Sequence, residues 1–136
     1  AIDEAIEKLS ALKARCVKLA VSAAFHTKLM SGAADEFKAA VSGIEFREPN
    51  CDFYANLYGN KLGDFSDMPS YLAAHICSPV KFVDEMNAMN EAGIEAYVEL
   101  GPNKVLTGLV KKTFKGANAV NIENCETLEK ALEALK

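Results

Sequence analysis

The sequence is poor in the features that announce most activities. No apolar run approaches the ~20 residues of a membrane span, and no secretory leader opens the chain. Cys16, Cys51, Cys77 and Cys125 are scattered, with no C-x-x-C pair and no zinc-ligand spacing. We read them as reduced thiols of a cytoplasmic protein. Only two histidines are present, His26 and His75, and two imidazoles without further ligands at suitable spacing make no metal site. Neither a G-x-S-x-G elbow nor a G-x-x-x-x-G-K-[ST] loop occurs. No serine is therefore offered on a strained strand-to-helix turn, and no phosphate cradle is encoded. Positive charge is also short. A formal net charge of -4 argues against a nucleic-acid partner, whose backbone needs a basic face. Internal repeats, low-complexity tracts and clear linkers are lacking as well.

What is present is an ordinary globular composition, half hydrophobic and a quarter charged. At 136 residues the chain is long enough for one domain with a core. It begins at Ala1 inside a pattern, because Ile2, Ala5, Ile6, Leu9 and Leu12 recur at helical spacing from the first turn. That spacing predicts a helix over 2–14, with Asp3, Glu4 and Glu7 at its positive end. A helix with nothing before it suggests a chain that has been cut into. Alternation from Cys16 to Val21 predicts a strand, and Ser22 to His26 connects it to a second helix. Leu29, Met30, Ala33, Phe37, Ala40, Val41 and Ile44 mark one face of that helix, and Gly43 is its stop.

Further on, short strands are expected within Phe53–Leu57 and at Lys61-Leu62, between the turn signals Gly59-Asn60 and Gly63-Asp64. Ser66 or Asp67 caps a helix with Pro69 in its first turn, running to about Cys77. Pro79 starts another, lined by Val83, Met86 and Met89 and ended by Gly93. Ile94 to Leu100 alternates strictly, which predicts a strand with one buried face or an edge strand. Gly101-Pro102-Asn103-Lys104 turns into a helix carrying Val105, Leu106, Leu109, Val110 and Phe114, closed by Gly116. A strand over 117–122 and a last helix with Leu128, Ala131, Leu132 and Leu135 complete the alternation of helices and strands, so the class is α/β or α+β.

Few residues in this frame invite chemistry. His26 lies at a junction between strand and helix. It either packs near a helix start or is presented there with its ring free. A general base needs a hydroxyl or thiol within hydrogen-bond reach, and Ser22 lacks the elbow context. If His26 is a base, its nucleophile is not recognisable in this chain. His75 alone reads as a surface or helix-end residue. The backbone N–H groups after Gly101-Pro102-Asn103-Lys104 could hold an anion, or the turn simply needs that shape. Lys13, Arg15 and Lys18, and separately Lys104, Lys111, Lys112 and Lys115, are either solvated charge or a docking surface for an acidic partner.

Three segments together change the weighting. Ser22-Ala23-Ala24-Phe25-His26-Thr27-Lys28-Leu29-Met30 resembles the segment around the active histidine of malonyl-CoA:acyl carrier protein transacylases. His75-Ile76-Cys77-Ser78-Pro79-Val80-Lys81-Phe82 resembles the family segment ending in (S/N)-P-V-(R/K)-(W/F). Glu99 through Leu109 is similar to its E-(L/V)-G-P-G-K-V-L-T-G-L segment, with Asn103 in place of the second Gly. The three follow in family order and the resemblance covers essentially the whole chain.

The resemblance implies the C-terminal part of a hydrolase-like α/β acyltransferase domain over 23–136. It also implies the last helix and strand of a ferredoxin-like subdomain over 1–22. The family's G-H-S-L-G elbow and its malonyl-holding Arg have no counterpart here, so the fragment is expected to be inactive alone. Implied too is ping-pong transfer from malonyl-CoA to the phosphopantetheine of an acyl carrier protein in fatty acid synthesis, without a cofactor or metal. His26 would be the general acid/base, oriented by the main-chain carbonyl of His75, where the family usually carries Gln. Phe25 would favour malonyl over methylmalonyl by bulk, and Arg15 and Lys18 would face the acidic carrier. A non-catalytic binding module and a polyketide acyltransferase fragment stand as alternatives.

Overall fold

The computed structural model describes residues 1–18 and 21–135. Among them the chain runs α1 (Ile2–Ala11), a 3₁₀ turn (Lys28–Met30), α2 (Ser31–Val41), β1 (Tyr54–Ala55), β2 (Asn60–Lys61), α3 (Met68–Cys77) and α4 (Phe82–Glu91). It ends with β3 (Ala96–Leu100), α5 (Val105–Thr113), β4 (Asn118–Ile122) and α6 (Cys125–Ala134). β1 and β2 form an antiparallel hairpin. β3 and β4 pair in parallel, Ala96 with Asn118 through Leu100 with Ile122, and α5 is the crossover that parallel pairing requires. Of the α/β and α+β classes left open by periodicity, α/β is the one observed, as the resemblance implied. Among the described residues no helix is long and apolar enough to cross a membrane.

Local chemistry sets most boundaries. α3 starts where the Asp67 carboxylate accepts from the Ser70 N–H at 3.1 Å, with Pro69 in the first turn. α6 starts at a reciprocal capping box between Asn124 and Thr127. The hairpin approaches the first turn of α4 so closely that a Cβ on Gly59 would stand 2.6 Å from Asp84 Cβ. Only glycine fits there, and its φ of +65° suits it as well.

Two small cores result. Ala55, Leu62, Met68 and Tyr71 bury against one another, surrounded by Phe46, Leu57, Phe65 and Leu72. Met86, only 1% exposed, meets Val110 and Ala119 under Phe82, Tyr97 and Phe114. The first core carries α3 and the second carries the β3–α5–β4 unit.

Several expectations need correction. Cys16, Val17, Lys18 and Val21 form no strand, while Leu19 and Ala20, within the same expected strand, lie outside the described residues. A strand needs a hydrogen-bonding neighbour, and among the described residues no strand pairs with Cys16, Val17, Lys18 or Val21. α4 begins at Phe82 rather than at Pro79, and the Lys81 N–H before it donates to the Asn56 carbonyl of the hairpin at 3.0 Å. β3 is the edge strand of the two readings. Its apolar face is open, with Val98 44% and Leu100 76% exposed, whereas Tyr97 and Glu99 are half-buried.

Candidate functional site

The end of α3 builds the site. Ser78 precedes Pro79, and a residue before proline is driven out of the helical region. Ser78 accordingly sits at φ -109° and ψ 149°. The last turn of α3 keeps carbonyls that no later helical N–H can reach. His26 takes them up. Its main-chain N–H donates to the Ile76 carbonyl at 3.0 Å, and its Nδ1 lies 3.1 Å from the His75 carbonyl and 3.2 Å from the Ser78 carbonyl.

Carbonyl oxygens only accept, so Nδ1 carries the ring proton and Nε2 keeps its lone pair. Among the described residues the ring's hydrogen bonds are these two, and His26 is exposed. The ring can therefore take a proton at Nε2 from a group brought to it.

The backbone is held for this purpose. His26 has φ +62°, a left-handed conformation that costs a residue with a Cβ about 1–2 kcal/mol. Such strain persists only where the surroundings over-determine it, and it clusters at functional positions. Here the three carbonyls hold one side. Thr27 holds the other, its Oγ1 donating to the Ala24 carbonyl at 2.8 Å and accepting from the Leu29 N–H at 3.3 Å.

The His75 side chain is half-buried beside this arrangement. Its ring stands edge-on to Tyr71, centroids 4.9 Å apart at 78°, and Tyr71 meets Tyr58 at 5.8 Å. Burial, and after it the charge of His26, pushes the His75 imidazole below its ordinary range. Burial, then Tyr58 and Glu85, pushes the Tyr71 phenol up. Glu85 is 7% exposed, with Oε2 unpartnered among the described residues, and burial raises its carboxyl.

The other expected site residues are placed less tightly. Phe25 adjoins His26 and is 53% exposed. Arg15 is exposed in the segment after α1, and Lys18 pairs with Asp3 at 2.9 Å. Among the described residues no group of three or more His, Cys, Asp or Glu side chains gathers for a metal.

The start of α5 is already filled from within. The Glu99 carboxylate accepts from the Leu106 N–H at 3.0 Å, the Thr107 N–H at 2.8 Å and the Thr107 hydroxyl at 2.7 Å. Those bonds, the Thr107 hydroxyl's foremost, hold the Glu99 carboxyl below the usual range. The turn before it needs left-handed backbone at Gly101 (φ +133°) and Asn103 (φ +69°). Asn is one of the few residues with a Cβ that tolerates this. The Asn121 side chain donates to the carbonyls of both, and the Asn103 N–H donates to Glu123 at 2.8 Å.

Sequence reasoning missed the Ser78 and Ile76 carbonyls, Thr27 and the Glu99–Thr107 pair. Ser78-Pro79 was the available signal for the first, since it dictates where α3 must stop.

The chain matches no protein-family model. It is 30% identical over 122 residues to the malonyl CoA-acyl carrier protein transacylase of Bacillus subtilis strain 168, covering 90% of this chain and 38% of that protein. Its fold matches the crystal structure of the malonyl CoA-acyl carrier protein transacylase from Clostridium perfringens with a TM-score of 0.90. That match has 30% identity and covers 98% of this chain and 42% of the other. A malonyl-transacylase solved in complex with a type II PKS acyl-carrier protein matches at a TM-score of 0.86 and 29% identity, over 97% of this chain and 43% of that one. This similarity over nearly the whole chain bears out the resemblance carried by the three motifs. The chain spans about two fifths of the length of these relatives.

Proposed function

We propose that this chain is the histidine-bearing part of a malonyl-CoA:acyl carrier protein malonyltransferase, with residues 1–22 the tail of the small subdomain and 23–136 part of the large one. The observation that carries the reading is the geometry of His26, which is anchored through Nδ1 on the His75 and Ser78 carbonyls and open at Nε2. In the first half-reaction a serine hydroxyl from outside these residues attacks the malonyl thioester carbonyl, and His26 Nε2 takes its proton. The tetrahedral intermediate collapses, the C–S bond breaks, and His26 returns the proton to the departing CoA thiolate. In the second half His26 deprotonates the phosphopantetheine thiol of the carrier protein, which attacks the malonyl-serine ester; the C–O bond breaks and His26 returns the proton to the departing serine oxygen. A neutral imidazole serves both directions near neutral pH. Both thiols arrive with the substrates, so the transfer needs no cofactor or metal, and a cytoplasmic location suits it.

Arg15 and Lys18 are the basic side chains we assign to the acidic carrier, where charge steers encounter. The transacylase partnered with a type II PKS carrier supports a second reading, in which the recipient carrier belongs to polyketide synthesis. The test joins this chain to the part of the Bacillus subtilis relative that it does not match, and assays malonyl transfer from CoA to carrier. The hybrid is expected to transfer, the 136-residue chain alone is not, and fatty-acid and polyketide carriers separate the two readings. A folded hybrid without activity would overturn the enzyme reading in favour of a non-catalytic binding module.

A further inference from the structure

We propose that Thr27 is a positioning residue for the transfer reaction, its hydroxyl closing the turn that holds His26 in the left-handed conformation and so keeping the ring on the α3 carbonyls. This rests on the reading of His26 as the base and deepens it, by naming a side chain that acts on the reaction through His26.

Phe25 and His26 are the central residues of a turn that runs from Ala24 to Thr27. A positive φ at the third residue of a turn is ordinarily left to glycine, which has no Cβ to clash there. Here that place holds His26 at φ +62°. Such turns are commonly closed by a main-chain bond from the fourth residue's N–H to the first residue's carbonyl. Among the described main-chain bonds none joins Thr27 to Ala24 in this way. The Thr27 hydroxyl stands in its place, donating to the Ala24 carbonyl at 2.8 Å. The turn is therefore shut by a side chain, on the residue next to the base.

The same oxygen also acts forward along the chain. It accepts from the Leu29 N–H at 3.3 Å, and Thr27, extended at φ -132° and ψ 163°, thereby caps the 3₁₀ turn. That turn packs against both α2 and α3. One hydroxyl thus ties the residues before His26 to the element after it. On its other side His26 is bound to α3, through its N–H on the Ile76 carbonyl and its Nδ1 on the His75 and Ser78 carbonyls. The left-handed backbone is the conformation in which both sets of bonds are made together. The other main-chain bond local to the stretch, from the Met30 N–H to the Thr27 carbonyl at 3.0 Å, lies wholly after His26 and does not span it.

The consequence concerns the ring. Both Thr27 hydroxyl bonds are to main chain, so their effect on proton transfer passes through the placement of His26. Rotation of His26 back to negative φ carries the imidazole off the carbonyls that keep the proton on Nδ1. The fraction of rings presenting a lone pair at Nε2 then falls. Two neutral hydrogen bonds together shift such a balance by about tenfold.

Thr27→Val keeps the shape of the side chain and removes the oxygen, whereas Thr27→Ser keeps the oxygen. Long-range proton–nitrogen NMR of the 136-residue chain reads the His26 tautomer in each. The Nδ1–H form is expected to predominate in the unaltered chain and in Thr27→Ser, and to lose that predominance in Thr27→Val. In the hybrid enzyme Thr27→Val is expected to lower kcat by about tenfold while KM for malonyl-CoA stays in place, and Thr27→Ser to keep kcat. A folded Thr27→Val chain that retains the Nδ1–H form, a folded Thr27→Val hybrid with unchanged kcat, or a Thr27→Ser chain that loses the Nδ1–H form overturns the proposal. If Thr27→Val fails to fold, Thr27→Ala, which removes the same oxygen with less bulk, is read in its place. The NMR arm requires no turnover, so Thr27 can fail as the clamp while His26 remains the base. An Nε2–H form already present in the unaltered chain overturns instead the reading of His26 itself, and the proposal with it.

Discussion

At the scale of single residues, backbone carbonyls do for His26 what a carboxylate does in many acid–base sites. His26 is oriented by acceptors that any residue would supply at the end of a helix. Side-chain identity matters where shape matters. Phe25, next to the base and half exposed, is the residue whose bulk we expect to exclude an α-methyl. One methyl is worth about 1–3 kcal/mol in an apolar pocket. In the hybrid enzyme Phe25→Ser should therefore narrow the preference for malonyl over methylmalonyl by about tenfold or more, as measured by kcat/KM for the two thioesters. An unchanged ratio would remove Phe25 from the selectivity account. This scale also shows what a sequence can reveal. His26 and Phe25 could be picked out because their side chains are distinctive. The Ser78 and Ile76 carbonyls could not, because a main-chain oxygen leaves no mark in the alphabet. Only Pro79, which forces Ser78 out of the helix, pointed to them.

At the scale of elements, boundaries were legible where a side chain closes its own cap. Asp67 with Pro69 starts α3 at the expected place, and the strand–turn–helix from Ile94 to Phe114 was read almost to the residue. The start of α5 held the surprise. The turn that could have received an external anion is served by Glu99, and Thr107 joins the carboxylate to the Val120 carbonyl of β4 at 3.3 Å. Thr107 is buried, so Thr107→Val leaves these acceptors short of a donor. It should cost about 1–3 kcal/mol in urea unfolding. The acid dependence has a definite sign. Glu99 is held below the usual carboxylate range in the fold, so the folded state binds its proton less readily than the unfolded chain does. The stabilisation is complete at and above the ordinary carboxylate pKa and is lost as pH falls through the lowered one. Glu99→Gln should flatten that part of the stability–pH curve. A wild-type curve already flat there would contradict the assignment.

At the scale of the whole molecule, the chain looks like a surface cut through an interior. α1 buries no residue. Val17, Val21, Ile94, Val98 and Leu100 are all largely exposed, and β3 keeps a free edge beside β4 in a sheet of two strands. Parallel sheets ordinarily have both faces covered, and an open apolar edge invites pairing with another chain. Periodicity gave the faces of these elements but not their neighbours. The strand expected over 16–21 is absent at Cys16, Val17, Lys18 and Val21 for that reason, since alternation describes a residue's two sides and says nothing of a hydrogen-bonding partner. The 136-residue chain should therefore self-associate in a concentration-dependent way in sedimentation velocity, and Val98→Lys with Leu100→Lys should shift it toward monomer. A single monomeric species at all concentrations would contradict this.

All three scales meet at the His26 ring, where the strained backbone, the carbonyls of α3 and the proline that ends it act on one imidazole. Its tautomer is the most direct measurement of the account. Long-range proton–nitrogen NMR of the chain at a pH where His26 is neutral distinguishes a protonated Nδ1 from a protonated Nε2. The Nδ1–H form is expected, with Nε2 carrying the lone pair. A predominant Nε2–H form would mean that the carbonyls of His75 and Ser78 do not hold the ring, and that His26 is not presented as a base.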